Sequence, residues 1–285
     1  MIIDFHTHIF PPEVREQRDE YVQRDPTFAE MYADPAAEIA SADDLLAGMD
    51  TAGVDVSVTL GFAWQDQDLI ARHNDYLLES AARSNGRFIP FTTVNMATDE
   101  DIVAKEVARC AGAGARGLGE LRPESQAWDL NDRPGEILAT LAAEHNLILL
   151  FHVTEPGGHE YPGKHGLPLG AFYRFQMSNP QVRIVGGHLG GGLPLRAPGA
   201  QAAAIAAHVS FDTAAQPFLY PAGVYARLAS GPFRDNVVMG SDFPLISQRR
   251  QVNIIRQSLT TAEAERVLGE NAARLLGIQI GTTTG

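Results

Sequence analysis

The sequence predicts an α/β protein built as one closed (β/α)8 barrel of the TIM type, in a single domain. Three observations predict it. Eight apolar segments recur along the 285 residues. Stretches with helical periodicity, each with its own start and stop signals, lie between them. The apolar segments are hydrophobic throughout rather than alternating, as strands buried on both faces of a parallel sheet are. Strands alternating with helices imply parallel pairing, and eight such units close a barrel. The competitor is an open doubly wound sheet, but no GxGxxG follows the first strand, against its dinucleotide-binding form.

The strand segments are MIIDFH (1–6), VSVTLGF (56–62), RFIPFTTVN (87–95), ARGLGEL (115–121), LILLFHV (147–153), VRIVGGH (182–188), HVSFDTA (208–214) and NVVMGSD (236–242). After the first gap they start 26–35 residues apart, one βα unit each. The first gap is longer because residues 9–41, charged and proline-bearing, form an insertion after strand 1. Ser41-Ala-Asp-Asp44 reads as a capping box with Asp in the Glu/Gln place. Leu45, Leu46 and Met49 follow at helical spacing, and Gly53 stops that helix. Asn85-Gly86 and Gly112/Gly114 end two more. Asp132 followed by Pro134 starts another, carrying Ile137, Leu138 and Leu141. Residues 154–170 (TEPGGHEYPGKHGLPLG) are a second insertion, after strand 5. Both insertions leave the face where barrel active sites form, and long loops there serve as lids. Residues 262–276 predict one final amphipathic helix. The barrel then spans residues 1–280, and GTTTG (281–285) is a flexible tail.

Composition narrows the function. A net charge of −13 argues against a nucleic-acid or anionic-membrane surface. No apolar stretch approaches the ~20 residues of a membrane span, and the N-terminus lacks the basic and apolar regions of a signal peptide. Cys110, the single cysteine, sits in a helical pattern with Ile102, Val103 and Val107 and reads as a small core residue. With no disulfide to form, the chain fits a reducing, cytoplasmic compartment. A homodimer is the default assembly.

The chemistry lies at the carboxyl ends of the strands. His6 and His8 end strand 1, and side chains two apart on a strand share a face. Glu120 ends strand 4, His152 strand 5, His188 strand 6 and Asp242 strand 8. Singly, each has a plain structural reading: Glu120 as a partner of Arg116 or Arg122, Asp242 as an N-cap. Jointly they put four imidazoles and two carboxylates on one rim, a ligand set for Zn2+ or a similar divalent ion.

His6-Thr-His8, His152, the GGHLGG stretch around His188, the GSDFP stretch around Asp242 and the ending LGENAARLLGI (268–278) resemble the amidohydrolase superfamily, in its amidohydrolase-2 branch. The resemblance implies that His6, His8, His152 and Asp242 hold one metal. It implies that His188 holds a second metal or contacts substrate. Many binuclear relatives carry a carboxylated lysine on strand 4, but the two lysines here, Lys105 and Lys164, lie away from that strand end. Glu120 stands there instead, as a bridging ligand or a salt-bridged bystander.

On this basis the sequence predicts a metal-dependent hydrolase of an ester, lactone or amide bond. One or two ions, most simply Zn2+ with Mn2+ or Fe2+ as alternatives, would activate a water, and Asp242 would act as general base. A bridging Glu120 and a chain shorter than the decarboxylases of this branch favour hydrolysis. The alternatives are non-oxidative decarboxylation of an aromatic or unsaturated acid, with Asp242 relaying a proton to carbon, and a catalytically silent metal-binding barrel. The expected partner is a small-molecule substrate. Trp64, Arg122, Tyr173 and Arg174 are expected to line its pocket, with Phe10, Glu155 and His159 as further candidates. Arg122 would take a substrate carboxylate or pair with Glu124 or Glu120.

Overall fold

Eight parallel strands follow one another around a barrel: β1 (Ile3–His8), β2 (Val56–Leu60), β3 (Phe88–Thr92), β4 (Gly117–Leu121), β5 (Ile148–Phe151), β6 (Ile184–Gly186), β7 (Val209–Asp212) and β8 (Val237–Val238). The computed structural model describes residues 1–155, 162–164, 166–197 and 199–279. Seven of the strands fall inside the segments expected from the sequence, and β1 runs two residues past its segment, through His8; all follow in sequential order. Backbone hydrogen bonds close the ring between β8 and β1: Phe5 to Met239 (2.7 Å), His8 to Phe243 (2.8 Å) and Asp242 to His6 (2.9 Å). β8 is short because its continuation turns away from the ladder. The Met239 N–H goes to the Val267 carbonyl (2.9 Å) and the Gly240 N–H to Thr213 Oγ1 (3.0 Å).

The barrel interior is layered. Phe5, Val58, Leu60, Phe91, Ile148, Leu150, Val185 and Val238 fill its lower part, with Ala272, Ala273 and Leu276 of the last helix packed against them. Arg116 and Arg183, just before β4 and β6, donate to the carbonyls of Leu276 and Leu275, which fastens that helix end to the amino-terminal floor. Residues 262–276, expected as one continuous helix, divide into Thr261–Glu265, a π-helical turn Arg266–Glu270, and Asn271–Leu276. The wide turn releases the Val267 carbonyl to Met239 and lets Gly269 lie against the Met1 backbone.

A bulge in β1 decides which side chains reach the upper part. Register runs Ile3 to Val56 and Asp4 to Ser57, then shifts by one before Thr7 to Thr59 and His8 to Leu60. Phe5 thus packs edge-on against Phe91 in the floor, while its neighbour His6 meets His8 above it. Simple alternation would put Asp4 on the face of His6. Asp4 instead lies outside the barrel wall, bonded to Gln248 of the helix Gln248–Ser258.

The helices carry the expected signals. Ser41 and Asp44 form a reciprocal capping box on Ala42–Ala52, and Gly53 ends it with φ 69°. The first insertion folds into three short helices, Pro12–Glu16, Arg18–Arg24 and Pro26–Tyr32. Its core is aromatic: Phe10, Phe28, Tyr32, Phe62 and Trp64 pack together with Val14, Ile39, Leu69 and Ile70. Asp25 caps the third helix and also accepts the Gln65 N–H (2.7 Å), tying the insertion to the loop after β2. His73 is the polar pin of this layer. It stacks on Phe10, accepts the Trp64 indole N–H at Nδ1 (3.0 Å) and donates from Nε2 to the Ile9 carbonyl (2.8 Å). Among the described residues, no helix is long and apolar enough to cross a membrane.

Burial pulls the His73 imidazole from 6.5 down to about 4. The unfolded chain binds a proton at this residue below about pH 6.5, the folded chain only near 4. The contribution is therefore intact above pH 6.5 and is lost as acidity increases toward 4. Between pH 7 and 4.5 the wild type should lose about 2–3 kcal/mol more stability than His73→Gln, in urea unfolding followed by circular dichroism. Equal losses in the two proteins would remove this role for His73.

Candidate metal centre

The six strand-end residues expected from the sequence meet in one buried cluster above the floor. His6 Nε2 lies 3.1 Å from His8 Nε2, and both face Asp242 Oδ1, at 3.6 and 3.5 Å. Glu120 Oε1 lies 2.8 Å from His152 Nδ1, 3.1 Å from His188 Nε2 and 3.7 Å from His6 Nε2. Its Oε2 is 3.6 Å from His8 Nε2. Three ligand triplets, each with donor atoms within 4.8 Å of one another, share these residues: His6–His8–Glu120, His6–His188–Asp242 and Glu120–His152–His188.

Local backbone explains the convergence. At Gly187, a Cβ would lie 2.9 Å from the Phe151 carbonyl oxygen and 3.5 Å from Glu120 Oε1, so a side chain there would enter the centre. The HLGGG run makes a left-handed turn, with φ between 53° and 79° from His188 through Gly192. Three glycines adopt this freely, while His188 and Leu189 each carry strain of about 1–2 kcal/mol. Asp242 is also left-handed, at φ 64°. Its seat is built by Asp4, which accepts both the N–H (2.9 Å) and the hydroxyl (2.5 Å) of the preceding Ser241.

The centre holds more acceptors than donors. His152 donates from Nε2 to the Gly163 carbonyl (2.7 Å), and burial lowers its pKa and so favours the neutral ring. The Nδ1 lone pair of that neutral ring then points at Glu120, a carboxylate that has nothing to donate. His6 shows the same arrangement. Its Nδ1–H donates to Asp212 (2.8 Å), which leaves Nε2 among His8, Glu120 and Asp242. Facing lone pairs are costly in a buried site unless a cation lies among them. The donor set therefore fits a divalent ion.

Without an ion, protons take over the compensation. Burial would raise the Glu120 pKa, but the imidazoles around it together outweigh burial and hold the group well below 4.5. Asp242 is likewise pulled against burial to about 2, by a hydrogen bond from His8 and the charges of His6 and His188. Burial disfavours the charged His6 ring, yet Asp212 and Glu120 raise it to about 10. His188 is raised against burial mainly by Glu120.

The substrate candidates separate. Arg122 is buried, with 2% of its surface exposed, and approaches Met31 Sδ (3.2 Å) and Glu30 (3.5 Å) of the first insertion and the Gly163 carbonyl (3.4 Å) of the second. Trp64, expected to line the pocket, is instead buried where the loop after β2 packs against the first insertion, stacked on Phe28 and bonded to His73. Phe10 belongs to the same interior. Tyr173 is half-buried on the helix Leu169–Ser178, and Arg174 on that helix is exposed, opposite the buried Phe172, Phe175 and Gln176. Glu155 is half-buried, and His159 lies outside the described residues.

Two buried carboxylates next to the ligand set escaped the sequence reading, Asp212 and Asp4. Asp212 ends β7 after an apolar run, the signal that picked out Glu120 and Asp242. Asp4 stands inside the first strand segment, where a charge already required a partner. Tyr32 of the first insertion also escaped. Burial, then the charges of Asp242 and Glu120, raise its pKa, so its phenol lies within electrostatic reach of the centre.

A family model described as Amidohydrolase matches residues 3–278. No match is found among curated proteins. The chain is similar in structure to 5-carboxyvanillate decarboxylase from Sphingomonas paucimobilis, with TM-score 0.79, 17% identity and coverage of 98% of this chain and 99% of that one. It is similar to the Novosphingobium aromaticivorans enzyme of the same name, complexed with manganese and 4-hydroxy-3-methoxy-5-nitrobenzoic acid, with TM-score 0.77, 16% identity and coverage of 98% and 96%. It is also similar to 2,6-dihydroxybenzoate decarboxylase from Rhizobium, with TM-score 0.72, 15% identity and coverage of 97% and 98%.

A divalent ion entering this cluster must displace the Nε2 proton of His6, so its affinity should rise with pH. Calorimetric titration of the apo protein with Mn2+ or Zn2+, in buffers of different ionisation enthalpy, should register proton release. Affinity should weaken by roughly tenfold or more per pH unit between pH 7.5 and 5.5. Affinity independent of pH, or no binding, would count against a metal centre here.

Proposed function

The chain belongs to the amidohydrolase family, and from that premise we propose that it is a metal-dependent, non-oxidative decarboxylase of small hydroxylated aromatic acids. One observation carries the choice over hydrolysis. The structures that share its fold along nearly the whole chain include enzymes named for decarboxylating such acids, one of them holding manganese and a nitrobenzoic acid. This reverses the preference for hydrolysis drawn from the sequence. Local features agree with it: an aromatic insertion lies over the site, and Arg122 is a buried cation two residues beyond Glu120.

His6, His8, His152 and Asp242 would hold the ion, with Glu120 and His188 beside them. A bound divalent cation supplies charge neutralisation and Lewis acidity toward the oxygens of an acidic substrate. The Nε2–H of His188 would orient the substrate carboxylate. The insertion core of Phe28, Phe62 and Trp64 would exclude water. Asp242 is the most exposed side chain of the cluster, at 14%, and faces incoming substrate. Held as a carboxylate in the resting site, it accepts the proton of the ring hydroxyl. It then delivers that proton to the ring carbon bearing the carboxylate. The C–C bond breaks, its electron pair restores the aromatic ring, and CO2 leaves. A hydroxyarene carboxylate thus becomes a phenolate and CO2, with atoms and charge conserved.

Glu120 favours a second reading. Its oxygens reach His6 and His8 on one side and His152 and His188 on the other, an arrangement suited to two ions and to hydrolysis of an ester, lactone or amide.

Manganese-loaded protein should release CO2 from 2,6-dihydroxybenzoate, 5-carboxyvanillate or a related hydroxybenzoate. In D2O, magnetic resonance should show deuterium at the vacated carbon. Asp242→Asn should lower kcat by about 10²–10⁴-fold with the fold retained by circular dichroism. Hydrolysis of a lactone, ester or amide panel without CO2 release would establish the second reading instead. Metal counting separates the two further. Glu120→Gln should leave the count unchanged at one ion under the first reading and reduce it from two to one under the second.

A further inference from the structure

Asp212 is completely buried at the end of β7, and all its contacts lead to the centre. Oδ2 lies 2.8 Å from His6 Nδ1. Oδ1 accepts the backbone N–H groups of His188 (2.9 Å) and Ala214 (3.0 Å). Among the described residues, His6 is its one ion-pair partner. A carboxylate in this position costs desolvation and stabilises a fold poorly, which directs attention to what it orients.

We propose that Asp212 is the positioning residue of the centre, selecting the His6 tautomer that carries its proton on Nδ1. Because a carboxylate only accepts, the ring nitrogen facing it must be N–H, and the lone pair is thereby confined to Nε2. Nε2 is the atom turned toward His8, Glu120 and Asp242. The two backbone donors on Oδ1 fix the carboxylate plane and aim Oδ2 at the ring. One of those donors belongs to His188, so the same group also seats the strained left-handed turn that presents the second imidazole. Asp212 on β7 therefore couples a ligand of β1 to one of β6 while touching no substrate. This inference rests on reading the cluster as a divalent-metal centre.

Asp212→Asn discriminates position from packing. The Asn carbonyl oxygen still accepts from His188 and Ala214, so the backbone is held. Its amide N–H2 now faces His6 Nδ1 and makes that nitrogen the acceptor. The proton moves to Nε2, where the lone pair is needed. Zn2+ serves as a diamagnetic probe. Zinc-loaded wild type with 15N-labelled histidine should show a slowly exchanging Nδ1–H for His6, assigned by its loss in His6→Gln. Asp212→Asn should keep the apo thermal midpoint near wild type and bind Zn2+ about 10–100-fold more weakly in chelator competition. Zinc affinity close to wild type in Asp212→Asn, or a wild-type His6 with Nδ1 unprotonated, overturns the proposal. If the variant does not fold, the wild-type spectrum decides alone. Wild type that binds neither Zn2+ nor Mn2+ overturns the metal reading itself, a separable failure.

Discussion

The seam between β1 and β8 is the constraint on which the rest depends. The two strands lie at opposite ends of the chain, and the ligands they carry meet only because the sheet closes on itself. Three backbone hydrogen bonds make the closure, and two of them involve ligand residues directly: Asp242 donates to the His6 carbonyl, and His8 donates to the Phe243 carbonyl. Ligand geometry and barrel closure are therefore one event. Asp4 reinforces the seam from outside the wall, taking donors from Ser241 and from Gln248, which also reaches Ser57 on β2. The bulge in β1 makes this possible. It sends Asp4 outward and His6 inward within three residues, so one short strand serves both the seam and the centre.

The interior divides by chemistry along the barrel axis. Below the bulge the side chains are hydrocarbon and the last helix is packed against them. Above it, six ionisable groups face one another with no apolar residue between. Such a layer is not neutral by itself, since with neutral imidazoles its two carboxylates leave two uncompensated negative charges. The chain satisfies this layer with protons on His6 and His188, or with an ion. The inner carboxylates differ in what they contribute. Glu120 and Asp242 face the space where an ion would sit, while Asp212 is turned away from it and acts through the ring of His6.

The fold was legible because burial on both faces makes a parallel strand a plain hydrophobic run, and eight of those runs can be counted. The ligands were legible for the same reason. A histidine or carboxylate that ends such a run has no plausible place except the rim. Asp212 obeys the same rule, ending the run Val209–Asp212, so the rule applied to strand 7 would have picked it out. Trp64 was misplaced because its surroundings come from residues 10–32, whose fold-back over β2 leaves no local periodic signal. Arg174 is exposed because its neighbours Phe172 and Phe175 take the buried stripe of their helix. The π-helical turn at Arg266–Glu270 answers demands from Met1 and Met239, which are remote in sequence.

Arg122 and His152 show how the two insertions enter the chemistry. Arg122 leaves β4 two residues after Glu120 and reaches Met31 and Glu30 on the first insertion. It also approaches the Gly163 carbonyl on the second, the same oxygen that accepts Nε2–H from His152. That shared acceptor settles the proton of His152 on Nε2 and leaves Nδ1 toward Glu120. The tautomer of a β5 ligand thus depends on the seating of an insertion, as that of His6 depends on Asp212. The two cases differ in permanence. Asp212 lies in the barrel wall, where closure of the sheet fixes it. Gly163 lies outside the barrel strands, and its carbonyl is approached by Arg122, which also reaches the first insertion. The orientation of His6 is therefore built into the scaffold, whereas that of His152 depends on a carbonyl outside the barrel strands.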